Sequence, residues 1–354
     1  MPGEWLLFRL FEPKNSEVGT QAQSQQRKLF LIISAYPAAL NAILLKIISY
    51  LNSPNCLSRF IVELNKMKKL FLSIFSLSFL LNCATAQKTD KNLYSKVTAL
   101  LKGFNGDVGV YIKNLKTNKV VAINADTIFP TASIVKIPIL VGIMDKIEKK
   151  VFDYHQQLVY RDSLVYSNFD VTANLKDTTK IELAKVILLM LSTSDNSASL
   201  WLQKLAGGGT RINEILDSAG FKAIRVNSRT PGRENNRTQF GWGQTTPYEM
   251  ATLMEKIYIG QMINDSISKK MIRLLGRNYW DEQAISQIPP DIFVASKNGC
   301  VDASRSEVLL VMAKQPYIFS IFTKNNKDIS WGDNNEAWVL SKNLSALLWQ
   351  YFSH

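Results

Sequence analysis

Strand patterns lie at both ends of residues 87–354 of this chain, and helical patterns lie between them. Near the first end, Val108, Val110 and Ile112 alternate with other residues. A polar turn and residues 120–123 follow, which is typical of a β-hairpin. Three short β-type runs return late in the chain, within DIFVASKNGC, SEVLLVMAK and YIFSIFTKN. This order predicts an α+β fold in which strands from both terminal regions form one antiparallel sheet.

Helical periodicity fills the middle of the chain, beginning at Ser133. Hydrophobic residues make up 46% of the sequence, which is ample for a packed core. No internal repeat or linker divides residues 87–354, so we expect one α+β domain with two lobes. Its sheet is flanked by helices and carries an inserted all-helical lobe at about residues 145–290. Further helices are predicted at 181–191, 197–205, 247–259 and about 335–351.

The formal net charge of +13 raises the question of a nucleic-acid or membrane partner. The basic residues are scattered, however, with no basic helix and no run of interleaved aromatic residues. Such a pattern is typical of a solvated surface. We therefore expect no nucleic-acid partner.

A leader is predicted at residues 67–86, within the sequence MKKLFLSIFSLSFLLNCATAQ. Two lysines, an apolar run and the tripeptide Ala84-Thr85-Ala86 have the three-part form of a secretory signal peptide. Cleavage after Ala86 would release residues 87–354 into the periplasm or cell envelope. The alternative is a lipoprotein, in which Cys83 carries a lipid that tethers the product to a membrane.

Residues 1–66 precede this leader, although the export machinery reads an N-terminus. Our hypothesis is that translation starts at Met67 and that residues 1–66 are an artefact of gene prediction. A membrane anchor in the apolar run LFLIISAYPAALNAILL, broken by Pro37, is the alternative. Only Cys300 lies beyond the leader, so no disulfide is expected within the mature chain.

The segment TASIVKIPIL places Ser133 and Lys136 three positions apart, on one face of a predicted helix. Ordinarily Thr131 or Ser133 would cap such a helix and Lys136 would extend to water. The alternative makes Ser133 a nucleophile whose proton passes to a lysine kept uncharged by apolar burial. His155 and His354 are the only histidines, and neither lies in a convincing catalytic turn. We therefore expect neither a Ser-His-Asp triad nor a His-rich metal site.

Two further motifs follow, S-D-N at residues 194–196 and K-N-G at residues 297–299. Alone, the first is an ordinary loop or helix-capping tripeptide and the second an ordinary turn. Here they occur in order after S-x-x-K, on a predicted helix, loop and strand respectively. Together they indicate one active site assembled from three elements.

The set S-x-x-K, S-D-N and K-T-G belongs to class A β-lactamases and penicillin-binding proteins, and residues 90–350, approximately, resemble that superfamily. The intervals from Ser133 to Ser194 and from Ser194 to Lys297 are 61 and 103 residues, similar to the class A arrangement. The resemblance implies a β-lactamase/transpeptidase-like fold and a serine hydrolase of the cell envelope. The implied substrate is a small-molecule β-lactam or a peptidoglycan stem peptide. We expect a monomer that uses no metal or cofactor.

The resemblance also implies roles for individual residues. Ser133 would attack the β-lactam carbonyl and form an acyl-enzyme, while Lys136 would take or relay its proton. Ser194 would pass a proton to the leaving nitrogen. Asn196 would orient Lys136 and the amide of the substrate, and Lys297 would hold the substrate carboxylate.

The oxyanion hole implied by the resemblance consists of the backbone N–H groups of Ser133 and Cys300. Gly299 precedes the second of these donors and completes the third motif. Arg305, on the next predicted strand, would supply a second cation for the substrate carboxylate. Its alternative interpretation is an exposed sheet arginine.

Two departures from the family pattern affect substrate preference and turnover. Asn298 stands where the third motif has Thr or Ser, so a hydroxyl contact to the substrate carboxylate becomes an amide contact. Class A enzymes deacylate with a Glu that is followed four residues later by Asn. In RTPGRENNRTQFGWGQTTPYEM, the only carboxylate before the Thr246-Pro247 helix start is Glu234, and Thr238 follows four residues later.

The sequence therefore leaves three functions open. The first is a β-lactamase that deacylates with Glu234. The second is a D-Ala-D-Ala peptidase-type or other penicillin-binding serine hydrolase with slow deacylation. The third is a catalytically silent binding or structural protein of the envelope.

Overall fold

The antiparallel sheet predicted from the two ends of the chain is present in a computed structural model, which describes residues 87–354. The predicted leader, Cys83 and residues 1–66 lie outside the described residues. The strands are β1 (Asp107–Asn114), β2 (Val120–Ile123), β3 (Phe129–Pro130), β4 (Gln157–Val159), β5 (Lys180–Glu182), β6 (Arg225–Val226), β7 (Gly243–Thr245), β8 (Val294–Val301), β9 (Ser304–Val311) and β10 (Tyr317–Lys324).

The main sheet has the strand order β2-β1-β10-β9-β8. Strand β1 pairs with β10 along its whole length, with Asp107 opposite Lys324 and Asn114 opposite Tyr317. Strands from the two ends of the domain are therefore direct neighbours. This pairing confirms the predicted α+β class and its antiparallel sheet.

Helices surround this sheet and also form the middle of the domain. Within residues 87–354 they are α1 (Lys91–Leu101), α2 (Lys136–Glu148), α3 (Leu183–Ser192), α4 (Asn196–Leu205), α5 (Gly208–Ser218), α6 (Glu234–Phe240), α7 (Pro247–Tyr258), α8 (Asp265–Leu275) and α9 (Glu336–Phe352). Helices α1, α5, α6 and α8 were not individually predicted from the sequence. None of these helices combines the length and hydropathy needed to span a membrane.

Alternate residues of the main sheet face two different hydrophobic cores, as the two-residue period of a strand requires. Val110 and Ile112 pack with Leu93 of α1 and Leu344 of α9. Tyr111 points to the opposite face and joins the larger core that contains α2. The sheet is thus covered on both faces.

Helix α2 is the centre of the helical lobe and contacts α3, α4, α5 and α8. Every residue from Lys136 to Asp145 is buried, since α2 is apolar around most of its circumference. Two short sheets, β4–β5 and β3–β7–β6, lie among the helices. The first residue of this buried helix is the lysine of the S-x-x-K motif.

Candidate active site

Ser133 lies in a 3-10 turn, Ala132–Val135, and not in the regular helix that the sequence predicts from this residue. The tighter turn begins at Ala132, whose φ of 43° lies in the left-handed region. A non-glycine residue adopts that region only when its surroundings enforce it. The surroundings here are strand β8 and helix α2, which hold the turn between them.

Gly299 of β8 lies directly against this turn. A Cβ at this position would lie 2.5 Å from Thr131 O and 2.9 Å from Ser133 N. No ordinary side chain fits these distances, so glycine allows the strand to approach the backbone of Ser133. The third motif therefore meets the first through main-chain atoms.

Lys136 is fully buried at the base of the site. Its Nζ lies 2.8 Å from Ser133 Oγ, 3.2 Å from Ser194 Oγ and 2.8 Å from Asn196 Oδ1. Burial lowers the pKa of Lys136 well below its ordinary 10.5, and the nearby charge of Lys297 lowers it further. A buried amine shifted in this direction accepts a proton at a pH where an exposed lysine cannot.

The S-D-N segment is the connection between α3, which ends at Ser192, and α4, which begins at Asn196. Ser194 has a φ of 61°. Asp195 caps α4 by accepting a hydrogen bond of 2.7 Å from Ala198 N. It also accepts bonds of 2.8 Å from the backbone N and the hydroxyl of Thr172. These contacts hold Ser194 and Asn196 beside Lys136.

A second buried carboxylate, Asp170, supports the same segment. It accepts hydrogen bonds of 2.9 Å from Asn196 N and from Ser197 N, and one of 2.6 Å from Ser197 Oγ. Sequence reasoning missed Asp170, because it lies 26 positions before Asn196 and belongs to no local motif. Only the tertiary fold brings it to the site.

Lys297 is also buried, and burial lowers its pKa to about 8. Its Nζ donates to Asn298 O at 2.9 Å and to Asn298 Oδ1 at 3.2 Å. The amide that replaces the family's hydroxyl therefore contacts this lysine. Strand β8 is the edge of the main sheet, so alternate backbone groups face the Ala132–Val135 turn instead of another strand.

A cleft of about 520 Å³ opens above these residues, lined among others by Ser133, Asn196 and Cys300. Tyr166 and Trp242 also line it and touch edge to face, with ring centroids 4.9 Å apart. Cys300 is a free cysteine, and burial raises the pKa of its thiol. The site thus has a polar, basic floor and aromatic residues on its wall.

Arg305 is engaged away from this floor. The side chain is buried and its guanidinium lies over Trp331, 4.5 Å from the ring centroid. Its N–H groups donate to main-chain carbonyls of the β8–β9 turn and of a later loop, namely those of Val301, Asp302, Ser304 and Ser330. These contacts hold the turn together.

Glu234 is the first residue of α6 and is exposed. Its carboxylate accepts a hydrogen bond of 3.1 Å from Gly232 N. Helix α6 reaches the cleft with its other end, at Gln239 and Phe240. The structure brings Ser133, Ser194 and Asn196 within hydrogen-bonding distance of Lys136 Nζ. Neither Glu234 nor Arg305 shares a hydrogen bond with any of these four residues.

Within residues 87–354, no three or more histidine, cysteine, aspartate or glutamate side chains are grouped so that they could hold a metal ion.

Comparison with known proteins gives a consistent result. Residues 92–352 match the sequence model of the beta-lactamase enzyme family. The β-lactamase VEB-1 of Pseudomonas aeruginosa is 25% identical over 303 residues, covering 81% of this chain and 98% of VEB-1. The β-lactamase SME-1 of Serratia marcescens is 22% identical over 279 residues, covering 75% of this chain and 92% of SME-1.

Solved structures with similar folds include PBP-A, with a TM-score of 0.66 and 20% identity over 75% of this chain and 97% of that one. A class A β-lactamase from Bacteroides cellulosilyticus has a TM-score of 0.66 and 19% identity, covering 75% of this chain and 99% of its own. At these identities the similarity establishes the fold. It agrees with the fold resemblance inferred from the three motifs.

Proposed function

The chain belongs to the beta-lactamase enzyme family and is a class A-like serine hydrolase, and from this premise we propose that it hydrolyses β-lactam antibiotics through an acyl-enzyme on Ser133. One observation carries the proposal. Lys136 Nζ, in a buried site that favours the uncharged amine, lies 2.8 Å from Ser133 Oγ and 3.2 Å from Ser194 Oγ. A base, a nucleophile and a proton carrier therefore meet at one point.

In the proposed acylation step, Ser133 Oγ attacks the β-lactam carbonyl while its proton moves to Lys136. The carbonyl oxygen acquires negative charge and is bound by the backbone N–H groups of Ser133 and Cys300. Each such donor contributes about 3–4 kcal/mol to transition-state stabilisation in comparable sites. The close approach of Gly299 to Ser133 N supports this pairing of donors.

Ring opening then requires a proton on the leaving nitrogen. Ser194 would pass it from Lys136, with which it shares the 3.2 Å contact. Asn196 would orient Lys136 and the substrate's amide group, since its Oδ1 already lies 2.8 Å from Nζ. Lys297 would bind the substrate carboxylate, assisted by the amide of Asn298.

The test is one assay with a chromogenic cephalosporin, followed in parallel by intact mass. Continuous turnover, with a transient adduct on the wild type and none on Ser133→Ala, is the expected result. Complete absence of reaction in the folded wild-type protein would refute acylation and favour the silent binding protein.

A second candidate is a D-Ala-D-Ala peptidase-type penicillin-binding hydrolase that deacylates slowly. The exposure of Glu234 and its hydrogen bond to Gly232 favour this candidate, because a deacylating base must position a water near the ester. Glu234→Gln separates the two. An adduct that accumulates only in this variant supports the β-lactamase with Glu234 as base, whereas an equally persistent adduct in the wild type supports the peptidase.

We also propose that the product is exported to the periplasm or cell envelope, on the strength of the leader pattern at residues 67–86. Intact-mass measurement of the native product tests this proposal. A mass that corresponds to residues 87–354 is expected, and a lipid-modified Cys83 would indicate a tethered form. A product that retains residues 1–66 would contradict translation from Met67.

A further inference from the structure

We propose that Asp170 is a positioning residue for acylation, holding Asn196 and the Tyr166 wall in place around Lys136. This inference rests on the proposed acylation of Ser133. No motif of the family resemblance includes Asp170, and it does not touch the space where the substrate would bind.

The contacts of Asp170 explain this role. One carboxylate oxygen accepts from Asn196 N and the other accepts from Ser197 N and Ser197 Oγ. The backbone position of Asn196 is therefore fixed from below, while its side chain reaches Lys136 Nζ. Because the carboxylate is buried, water cannot readily replace these bonds.

Asp170 also connects the S-D-N segment to the wall of the cleft. Ser197 Oγ donates to Asp170 and accepts a 2.7 Å hydrogen bond from Tyr166 N. Tyr166 in turn packs against Trp242 across the cleft wall. One carboxylate thus links the residue that orients the base and the residue that shapes the substrate site.

The charge of Asp170 acts on the same lysine. Four neighbours influence the charge of Lys136 besides its burial: Lys297 favours the neutral amine, while Asp170, Asp195 and Cys300 favour the protonated one. Asp170 therefore partly offsets the effect of Lys297 on the pKa of Lys136. It keeps the amine basic enough to take the proton of Ser133.

The experiment measures the acylation rate of full-length protein by intact mass with a penicillin across a range of pH. Asp170→Asn retains the shape but supplies one acceptor oxygen where the carboxylate has two, and it removes the charge. We expect acylation to slow by roughly 10- to 100-fold, as small displacements of catalytic groups do. The acid limb of the pH–rate profile of acylation should move to lower pH, because loss of the negative charge lowers the pKa of Lys136.

Two variants separate positioning from general destabilisation. Asp170→Glu keeps the charge at a displaced position, so it should restore the acid limb without restoring the full rate. Asp162→Asn is the matched control, since Asp162 is an exposed carboxylate of the same segment, and it should behave as the wild type. If Asp170→Asn loses rate without moving the acid limb, or acylates as fast as Asp162→Asn, the positioning role is wrong.

Ser197→Ala provides a milder test that remains informative if Asp170→Asn does not fold. It removes both hydrogen bonds of Ser197 Oγ, the one donated to Asp170 and the one accepted from Tyr166 N, and leaves the two backbone bonds to Asp170. We expect KM to rise by roughly 2- to 10-fold, because Tyr166 loses the single hydrogen bond that links it to Ser197, with little change in kcat. Unchanged KM would refute the connection to the wall. A wild-type protein that forms no Ser133 adduct would instead refute the proposed function itself.

Discussion

Substitution of Gly299 by alanine should abolish most acylation while leaving the fold intact. The added methyl group would lie 2.5 Å from Thr131 O, 2.9 Å from Ser133 N and 3.0 Å from Ile134 N. Restoring ordinary van der Waals separation from the oxygen requires strand β8 to move by roughly 1 Å. Oxyanion donors act only within about 2.7–3.1 Å of the charge they stabilise. A shift of this size moves the N–H groups of Ser133 and Cys300 apart, so that both can no longer lie within that distance of one oxygen.

Loss of one such donor typically slows catalysis by about 100- to 1000-fold, and we expect Gly299→Ala to lie within this range. The measurement is the rate of Ser133 adduct formation by intact mass, with the melting temperature recorded beside it. Gly332→Ala is the matched control, because an added Cβ there meets nothing within 4 Å. Wild-type acylation by a folded Gly299→Ala protein would show that the contact between β8 and the Ala132–Val135 turn is not required.

Two other predictions follow from the cationic residues. In the wild type, KM for a penicillin should rise as the pH increases past about 8, because Lys297 then loses the proton that attracts the substrate carboxylate. In Lys297→Arg the side chain stays protonated, so the rise in KM should move to higher pH. A KM that does not depend on pH would exclude Lys297 as the residue that binds the carboxylate. Arg305→Ala should lower the free energy of unfolding by about 2–4 kcal/mol in urea denaturation, since buried carbonyls lose their donors, with KM nearly unchanged. A large rise in KM without loss of stability would instead assign Arg305 to substrate binding.

The main sheet could be predicted because its strands carry their own pattern. The alternation in β1 and the short β-type runs that became β8 to β10 are local information. The placement of Ser133 and Lys136 on one turn likewise follows from a spacing of three. The sequence did not reveal that Ser133 lies in a 3-10 turn, because that geometry depends on the contact with Gly299 of a distant strand.

Residues whose role depends on tertiary contacts were harder to predict. Asp170 reaches the S-D-N segment only after the intervening residues fold, so no local motif marks it. Arg305 follows the third motif closely, yet its direction is set by the carbonyls of the β8–β9 turn and by Trp331. A charged residue next to a motif can stabilise the backbone as readily as it can bind substrate.

The roles proposed for the two buried lysines would also couple substrate binding to catalysis. At neutral pH Lys297, with a pKa of about 8, is mostly protonated, and its charge helps to keep Lys136 neutral. A substrate carboxylate bound to Lys297 would offset this charge and raise the pKa of Lys136. Lys136 would therefore become a stronger base when the substrate binds. As long as its pKa stays below the working pH, its amine remains neutral and can accept the proton of Ser133.

This coupling predicts a difference between a penicillin and its methyl ester, which lacks the carboxylate. With the ester, the acid limb of acylation should lie at lower pH, because nothing offsets the charge of Lys297 and the pKa of Lys136 stays low. The rate of adduct formation, measured for each compound from roughly pH 4 to 9, gives the acid limb of each, since the acid limb of a general base is resolved in this range. In Lys297→Ala the difference between the two compounds should shrink, since the carboxylate loses the cation that holds it near Lys136. Identical limbs for acid and ester in the wild type would show that the two lysines titrate independently.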